Sequence, residues 1–341
     1  MRNGVLVGGN WIIDQVKVVD IYPSEEKLAN ILAEYRSNGG SAYNILKGLF
    51  KMQVSFPLEG IGLVGEDERG HSILEECGRM AINTRQLRKT DKAGTSYTDV
   101  MSVRSTGRRT FFHHRGANAL LDAVHFDFST SRAKIFHLGY LLLLDNLDEI
   151  KPDGSTGAAS VLREAQEQGF VTSVDIVSED SGRFKKVIPP SLPFIDFLFV
   201  NEFEAKMLSD IPSAEENGAL SVENCYQAAK AILDMGVREW VIVHFPQGAL
   251  AVNKHKERIF QPSIKLRLED IGGAVGAGDA FAAGALTGIH ENWPMKKSLA
   301  LGVCAAATSL FAATSSDSIL PYEACLALVG RYGYREKVLA V

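Results

Sequence analysis

Late in the chain, Gly272-Gly273-Ala274-Val275-Gly276-Ala277-Gly278-Asp279 sets four glycines ahead of a single carboxylate, and Ala282, Ala283, Gly284 and Ala285 continue in a small-residue helical pattern. Glycine has no Cβ, so backbone N–H groups in such a turn can come close to a ligand. If a helix starts there, the same donors lie at its positive end and suit a phosphate. A carboxylate beside a phosphate-binding turn is costly unless it has work to do. The work that fits is to orient a hydroxyl and take its proton while a phosphoryl group is transferred. The plainer use of Asp279 is to cap the helix. A helix N-terminus pulls a carboxyl pKa down, so Asp279 is expected to be a weak base; this is tolerable because phosphoryl transfer depends mostly on positioning and charge stabilisation. The stretch is neither common nucleotide loop: the chain has no Gly-Lys dipeptide, and the GxxGxGD order is not the early GxGxxG of dinucleotide sites.

Other groups with chemical potential are Asp14, Asn44 after Gly39-Gly40, Asp175, the pair Asn201 and Glu204, and the patch His113-His114-Arg115 with Asn118. Mg²⁺ prefers oxygen ligands and keeps several waters, so Asn201 and Glu204 suffice as its protein contacts. Glu204 is also an ordinary first-turn helix acid. Neighbouring histidines on a strand point to opposite faces, which argues against a zinc site. Arg115 suits bidentate contact with phosphate or carboxylate.

Five segments in order carry a resemblance. Gly9 followed by Asp14, the GG-x-x-x-N of Gly39 to Asn44, the GxVGxDxxG of Gly62 to Gly70, the NxxE of Asn201 to Glu204 and the GAGD of Gly276 to Asp279 span nearly the whole chain. Together they resemble the ribokinase-like carbohydrate kinases of the phosphofructokinase-B type. The resemblance implies an ATP-dependent kinase that phosphorylates a hydroxymethyl group of a sugar or sugar-like molecule with Mg²⁺. It implies Asp279 as base and Gly276, Ala277 and Gly278 as the hole that stabilises the transferring group. Asp14, Gly39, Gly40 and Asn44 would hold the sugar, and His114, Arg115 and Asn118 would set specificity. Asn201, Gly248, Gly276 and Gly278 would meet the nucleotide, and Glu204 and Asn201 the metal. A nucleoside kinase of the same fold, with Trp11, Tyr22 or Phe112 stacking on a base, and a non-catalytic sensor of sugar or nucleotide are the alternatives. Two positions depart from the pattern. Gly273-Ala274-Val275 stands where cation-activated relatives begin with Asp, which puts K⁺ activation in doubt. Phe245 replaces the first glycine of the turn ending at Gly248.

The elements that must place these groups are legible as an α/β pattern. Val5-Leu6-Val7, Ile61 to Val64, Lys134 to Leu138, Phe170 to Asp175, Phe194 to Val200 and Trp240 to Val243 are apolar strand runs, interleaved with helical segments at 158–168 and 225–235. Such runs mean a doubly wound, mainly parallel sheet covered on both faces. Ligands then bind beyond the carboxyl ends of the strands, and Asp14, Asp175, Asn201 and Gly276 are expected at or just past such ends. Residues 15–36, with a strand over Val16 to Tyr22, and 94–115 read as strands of a small lid inserted in a single kinase domain spanning 1–341. Open lid edges bearing Val16, Val18, Phe111 and Phe112 suggest a homodimer through the lid.

Composition narrows the partners. A net charge of −5 argues against nucleic acid. The four cysteines are widely spaced without a CxxC, the N-terminal apolar run is too short for a signal peptide, and no segment is long enough to span a membrane. The expectation is a cytoplasmic protein with reduced thiols.

Overall fold

The computed structural model describes residues 2–336 except 180, 216, 274, 313 and 315, so Ala274 of the glycine-rich stretch lies outside the described residues. Numbered along the chain, the strands are β1 (Val5–Gly9), β2 (Ile12–Val19), β3 (Ile31–Gly39), β4 (Leu58–Gly65), β5 (Asn83–Thr90), β6 (Tyr97–Val103), β7 (Arg109–His114), β8 (Ile135–Leu141), β9 (Val171–Ile176), β10 (Phe197–Asn201), β11 (Trp240–Phe245), β12 (Gly248–Asn253) and β13 (Arg258–Pro262). A nine-stranded sheet runs β13-β12-β11-β10-β9-β8-β1-β4-β5, and a four-stranded sheet runs β3-β2-β6-β7. In the large sheet β5 through β11 are parallel, and only β12 and β13 turn antiparallel.

Alternation along the strands divides the interior in two. Val5 and Val7 face one core while Leu6 faces the other, and Ile242 lies opposite in sense to Val241 and Val243. One core is covered by helices Gly157–Glu167, Glu202–Ser209 and Val222–Asp234. The other is covered by Ser41–Lys51, Glu68–Arg79, Ala277–His290, Met295–Ser309 and Tyr322–Tyr332. The expected doubly wound layering is therefore present.

The small sheet is the lid. Its first strand is Ile12–Val19, shifted toward the N-terminus from the expected Val16 to Tyr22. Asp20 ends it: its Oδ1 accepts from the backbone N–H of Ile21 at 2.8 Å and of Asn30 at 3.0 Å, tying off a loop. The strand β3 that follows extends to Gly39, beyond the expected lid segment 15–36. Asp14 accordingly stands in a lid strand and not at the end of a strand of the large sheet. Trp11, fully buried, anchors the crossing between the sheets by donating its indole N–H to the Ile61 carbonyl at 3.0 Å.

Candidate active site

The glycine-rich stretch turns as its composition demands. Gly276 has φ 73°, a left-handed backbone that favours glycine, and it precedes helix Ala277–His290. Asp279 falls in the first turn of that helix and is 4% exposed. Its Oδ2 accepts a hydrogen bond from Asn44 Nδ2 at 2.8 Å. The Tyr140 hydroxyl donates to Oδ1 at 2.7 Å and to Oδ2 at 2.8 Å. Burial is the main force on its proton affinity, with the charge of Asp175 next, and they raise its pKa to about 7 against the opposing hydrogen bonds of Tyr140 and Asn44. The expected depression by the helix end is thus overturned, because loss of water around the carboxylate outweighs a partial charge. A carboxylate tuned to this range is a better base than one at its ordinary value.

On one side of Asp279 lie the groups expected to hold an acceptor. Asp14 is 8% exposed, and burial raises its pKa to about 7. Gly39 lies against it: a Cβ there would come 2.0 Å from Asp14 Oδ2. Gly40, at φ 88°, starts helix Ser41–Lys51, whose first turn delivers Asn44 to Asp279. Ser41 donates its hydroxyl to Asp175 Oδ2 at 2.8 Å. Asp175 Oδ1 has no hydrogen-bond partner among the described residues; the buried His137 Nε2 stands 3.5 Å from it.

The two residues just before Asp279 line a cavity of about 530 Å³, walled by Asn201, Glu202, His244, Gly248, Ala277 and Gly278 among others. β11 and β12 form a hairpin that brings Phe245 and Gly248 to the wall across Pro246-Gln247. A Cβ on Gly248 would meet the Gln261 carbonyl at 2.4 Å, so its packing against β13 already requires glycine. His244 lies under the glycine turn, 3.3 Å from where a Gly278 Cβ would sit, and burial drops its pKa to about 4, leaving it neutral near pH 7.

Asn201 and Glu204 form a reciprocal helix cap. The Asn201 side chain accepts from the Glu204 N–H at 2.9 Å, and the Glu204 carboxylate accepts from the Asn201 N–H at 2.8 Å, from Asn201 Nδ2 at 2.9 Å and from the Ser178 hydroxyl at 2.7 Å. Glu204 is 3% exposed, and burial, with the charges of Asp175 and Glu202 adding to it, raises its pKa to about 8. Among the described residues no three His, Cys, Asp or Glu side chains converge as a metal cage. The Glu204 carboxylate and the Asn201 amide oxygen are nevertheless hard oxygen donors of the kind Mg²⁺ prefers, and a cation would favour the ionised form of Glu204.

The third expected group divides. His114 is exposed and packs its ring 5.0 Å from that of Tyr97. Arg115 donates to the Leu142 carbonyl at 2.8 Å and pairs with Asp145 at 3.2 Å. Asn118 is fully buried, its amide bridging the Trp11 N–H at 3.3 Å and the Trp11 carbonyl at 3.2 Å. Sequence reasoning missed Tyr140. The signal was a polar-tipped aromatic directly after a glycine near the carboxyl end of a parallel strand, where ligands of such sheets bind.

The model described as pfkB family carbohydrate kinase matches residues 3–321. An ATP-dependent ribose-1-phosphate kinase from Halopiger xanaduensis is 25% identical over 81% of this chain and 80% of its own. The Arabidopsis thaliana ribokinase, solved with ribose and ATP, superposes with a TM-score of 0.79 at 21% identity, covering 96% of this chain and 99% of that one. A nucleoside kinase from Methanocaldococcus jannaschii gives 0.73 at 17% identity, over 96% and 98% of the two chains.

Proposed function

Because this chain belongs to the pfkB family of carbohydrate kinases, phosphotransferases with an alcohol group as acceptor, we propose that it transfers the terminal phosphoryl group of ATP to a hydroxymethyl group of a sugar, with Asp279 as the base that takes the hydroxyl proton. One observation carries the reading. Ala277 and Gly278 line the large cavity, and the very next residue presents its carboxylate to Asn44 on the helix that follows Gly39-Gly40. The base therefore stands at the junction of a nucleotide-sized space and the polar pocket of Asp14. The acceptor oxygen attacks phosphorus as its proton passes to Asp279, while the bond to the leaving diphosphate breaks. Backbone N–H groups of Gly276, Ala277 and Gly278, at the positive end of their helix, steady the negative charge. Asp14, Gly39, Gly40 and Asn44 orient the sugar; Arg115 borders it, and Asn118 supports Trp11 behind it, whereas His114, in register with Tyr97 and Ile13, lies on the lid face opposite Asp14. Asn201 and Glu204 would hold Mg²⁺, and the ion would supply neutralisation of phosphate charge. With Gly273 in place of the relatives' Asp, K⁺ is expected to change the rate little.

The site needs no division of the chain, and we read sheet and lid as one kinase domain. The lid face that carries Asp14 also carries Val16 and, in register beside it, Tyr35 and Val100, with Phe111 next to Val100. Tyr35 and Phe111 are 49% and 59% exposed. Their exposed rings, able to take a stacked base, support a nucleoside acceptor as a second reading; Trp11, fully buried, is not available for it. The same rings support a dimer through the lid, which light scattering at micromolar concentration checks: a clean monomer mass refutes it. The four cysteines are buried and unpaired, which supports the cytoplasm. No helix among the described residues is long and apolar enough to cross a membrane. The deciding experiment measures ADP release from Mg²⁺-ATP against a panel of pentoses, hexoses, sugar phosphates and nucleosides. Turnover with one of the sugars supports the reading; turnover with a nucleoside alone moves it to the second; none at all contradicts both.

A further inference from the structure

We infer that Tyr140 is a positioning residue for phosphoryl transfer, its hydroxyl locking Asp279 so that Oδ1 is the oxygen that takes the acceptor's proton. The inference rests on Asp279 being the base. Tyr140 reaches both carboxylate oxygens, at 2.7 and 2.8 Å, from the end of β8. Asn44 adds a second bond to Oδ2 only. Oδ2 thus holds two donors and Oδ1 one, and a carboxylate oxygen has two lone pairs. Among the described residues, the free capacity is on Oδ1. Two bonds from different elements, a strand and a helix, also fix the plane of the carboxylate, which a single bond would leave free to rotate.

The same contact sets the proton affinity. The groups that act on Asp279 are Asp175 from β9, Asp14 from β2, Tyr140 from β8 and Asn44 from helix Ser41–Lys51; the two carboxylates raise its pKa and the two hydrogen bonds lower it. Tyr140 itself stays protonated and a donor, since burial and the charges of Asp279 and Asp175 push its own ionisation well above the usual value. Removing the phenolic oxygen therefore weakens the ionised form of Asp279. In transfer, the acceptor O–H proton moves to Asp279 Oδ1, the acceptor oxygen bonds to phosphorus, and the bond from phosphorus to the nucleoside diphosphate oxygen breaks with its electron pair leaving on ADP. The Tyr140 proton does not move.

The test is Tyr140→Phe, which keeps the ring, read in two ways. With ¹³C-carboxyl aspartate labelling of the ligand-free protein, the Asp279 resonance, identified by its loss in Asp279→Asn, titrates about one unit higher, the size of one charge-assisted hydrogen bond. With Mg²⁺-ATP and the acceptor found by the panel, kcat falls roughly tenfold and the acidic limb of kcat/KM moves up by the same unit, while KM for ATP is unchanged. Site-specific 3-fluorotyrosine at 140, a stronger donor of nearly the same shape, moves the limb the other way. A Tyr140→Phe protein with unshifted titration and wild-type kcat overturns the inference and leaves Tyr140 as wall. Activity surviving in Asp279→Asn would instead overturn the base assignment itself, so the two failures are distinct.

Discussion

Gly39→Ala is the sharpest geometric perturbation of the acceptor pocket. The new Cβ would lie 2.0 Å from Asp14 Oδ2 and 2.7 Å from its Cγ, where Cβ contacts under 3.0 Å essentially do not occur. Gly39 does not have a positive φ, so the substitution strains no dihedral and acts only through this collision. The carboxylate must therefore retreat by about 1 Å, a displacement that can cost about 10²-fold where geometry is matched to reacting groups. Asp14 is buried in the lid strand β2, so it has no open solvent to retreat into. The expected result is a fall of about 10²-fold in kcat/KM for the acceptor, with KM for ATP within about twofold, because Asp14 is not among the residues that line the cavity. Overpacking costs about 1–3 kcal/mol, so the melting temperature drops by several degrees without loss of the fold. The assay is steady-state ADP release with each substrate varied in turn. A double-mutant cycle with Asp14→Asn sharpens it: if Gly39 acts through Asp14, the second substitution adds little to the first. Wild-type acceptor kinetics in a folded Gly39→Ala protein would refute the claim that Asp14 is held against this glycine for the acceptor.

Further outcomes follow from the same geometry. Asn118→Ala strands both backbone groups of Trp11 in the interior, so it should cost about 2–4 kcal/mol and lower the melting temperature, read by calorimetry; a stable variant with altered acceptor preference would return Asn118 to the specificity set. Asp279→Asn should raise the melting temperature at pH 8 and leave it nearly unchanged near pH 4. The folded-state pKa is raised to about 7, so the wild-type fold loses stability as pH climbs from the ordinary carboxylate value to that one, and the amide has no charge to bury. Equal melting shifts at both pH values would contradict the burial argument. Replacing Na⁺ by K⁺ in the kinase assay should change the rate little, and strong stimulation would show that groups other than position 273 build an ion site.

Much of the site was legible because its signals are local. A glycine turn ahead of Asp279 needs only backbone rules, and helix Ala277–His290 begins where those rules put it. The parallel sheet was legible because strands buried on both faces read as unbroken apolar runs, as in Val5 to Val7 and Trp240 to Val243. What depends on distant packing was not. The carboxylate of Asp279 looked depressed because a helix end is visible in sequence, whereas burial against Asp175 and Tyr140 is not. Within the expected lid segment 15–36, strand β3 had no bounds of its own and its end at Gly39 was not legible, because most of its residues are exposed and carry no hydrophobic alternation; pairing with β2 makes it a strand. Asn118 looked like a binding group because a polar side chain beside Arg115 gives no sign that it is clamped on Trp11. Tyr140 escaped notice because its partner lies 139 residues away.

Phosphoryl transfer by this site depends on Asp279 as the proton acceptor. The direct measurement is the single-turnover rate of phosphoryl transfer by purified Asp279→Asn, at saturating Mg²⁺-ATP and acceptor, beside wild type. The side chain keeps its shape and its neighbours, so nucleotide affinity measured by calorimetry should hold, while the transfer rate falls about 10²–10⁴-fold. Transfer within a few-fold of wild type, with nucleotide and acceptor bound normally, would contradict the assignment and with it the mechanism.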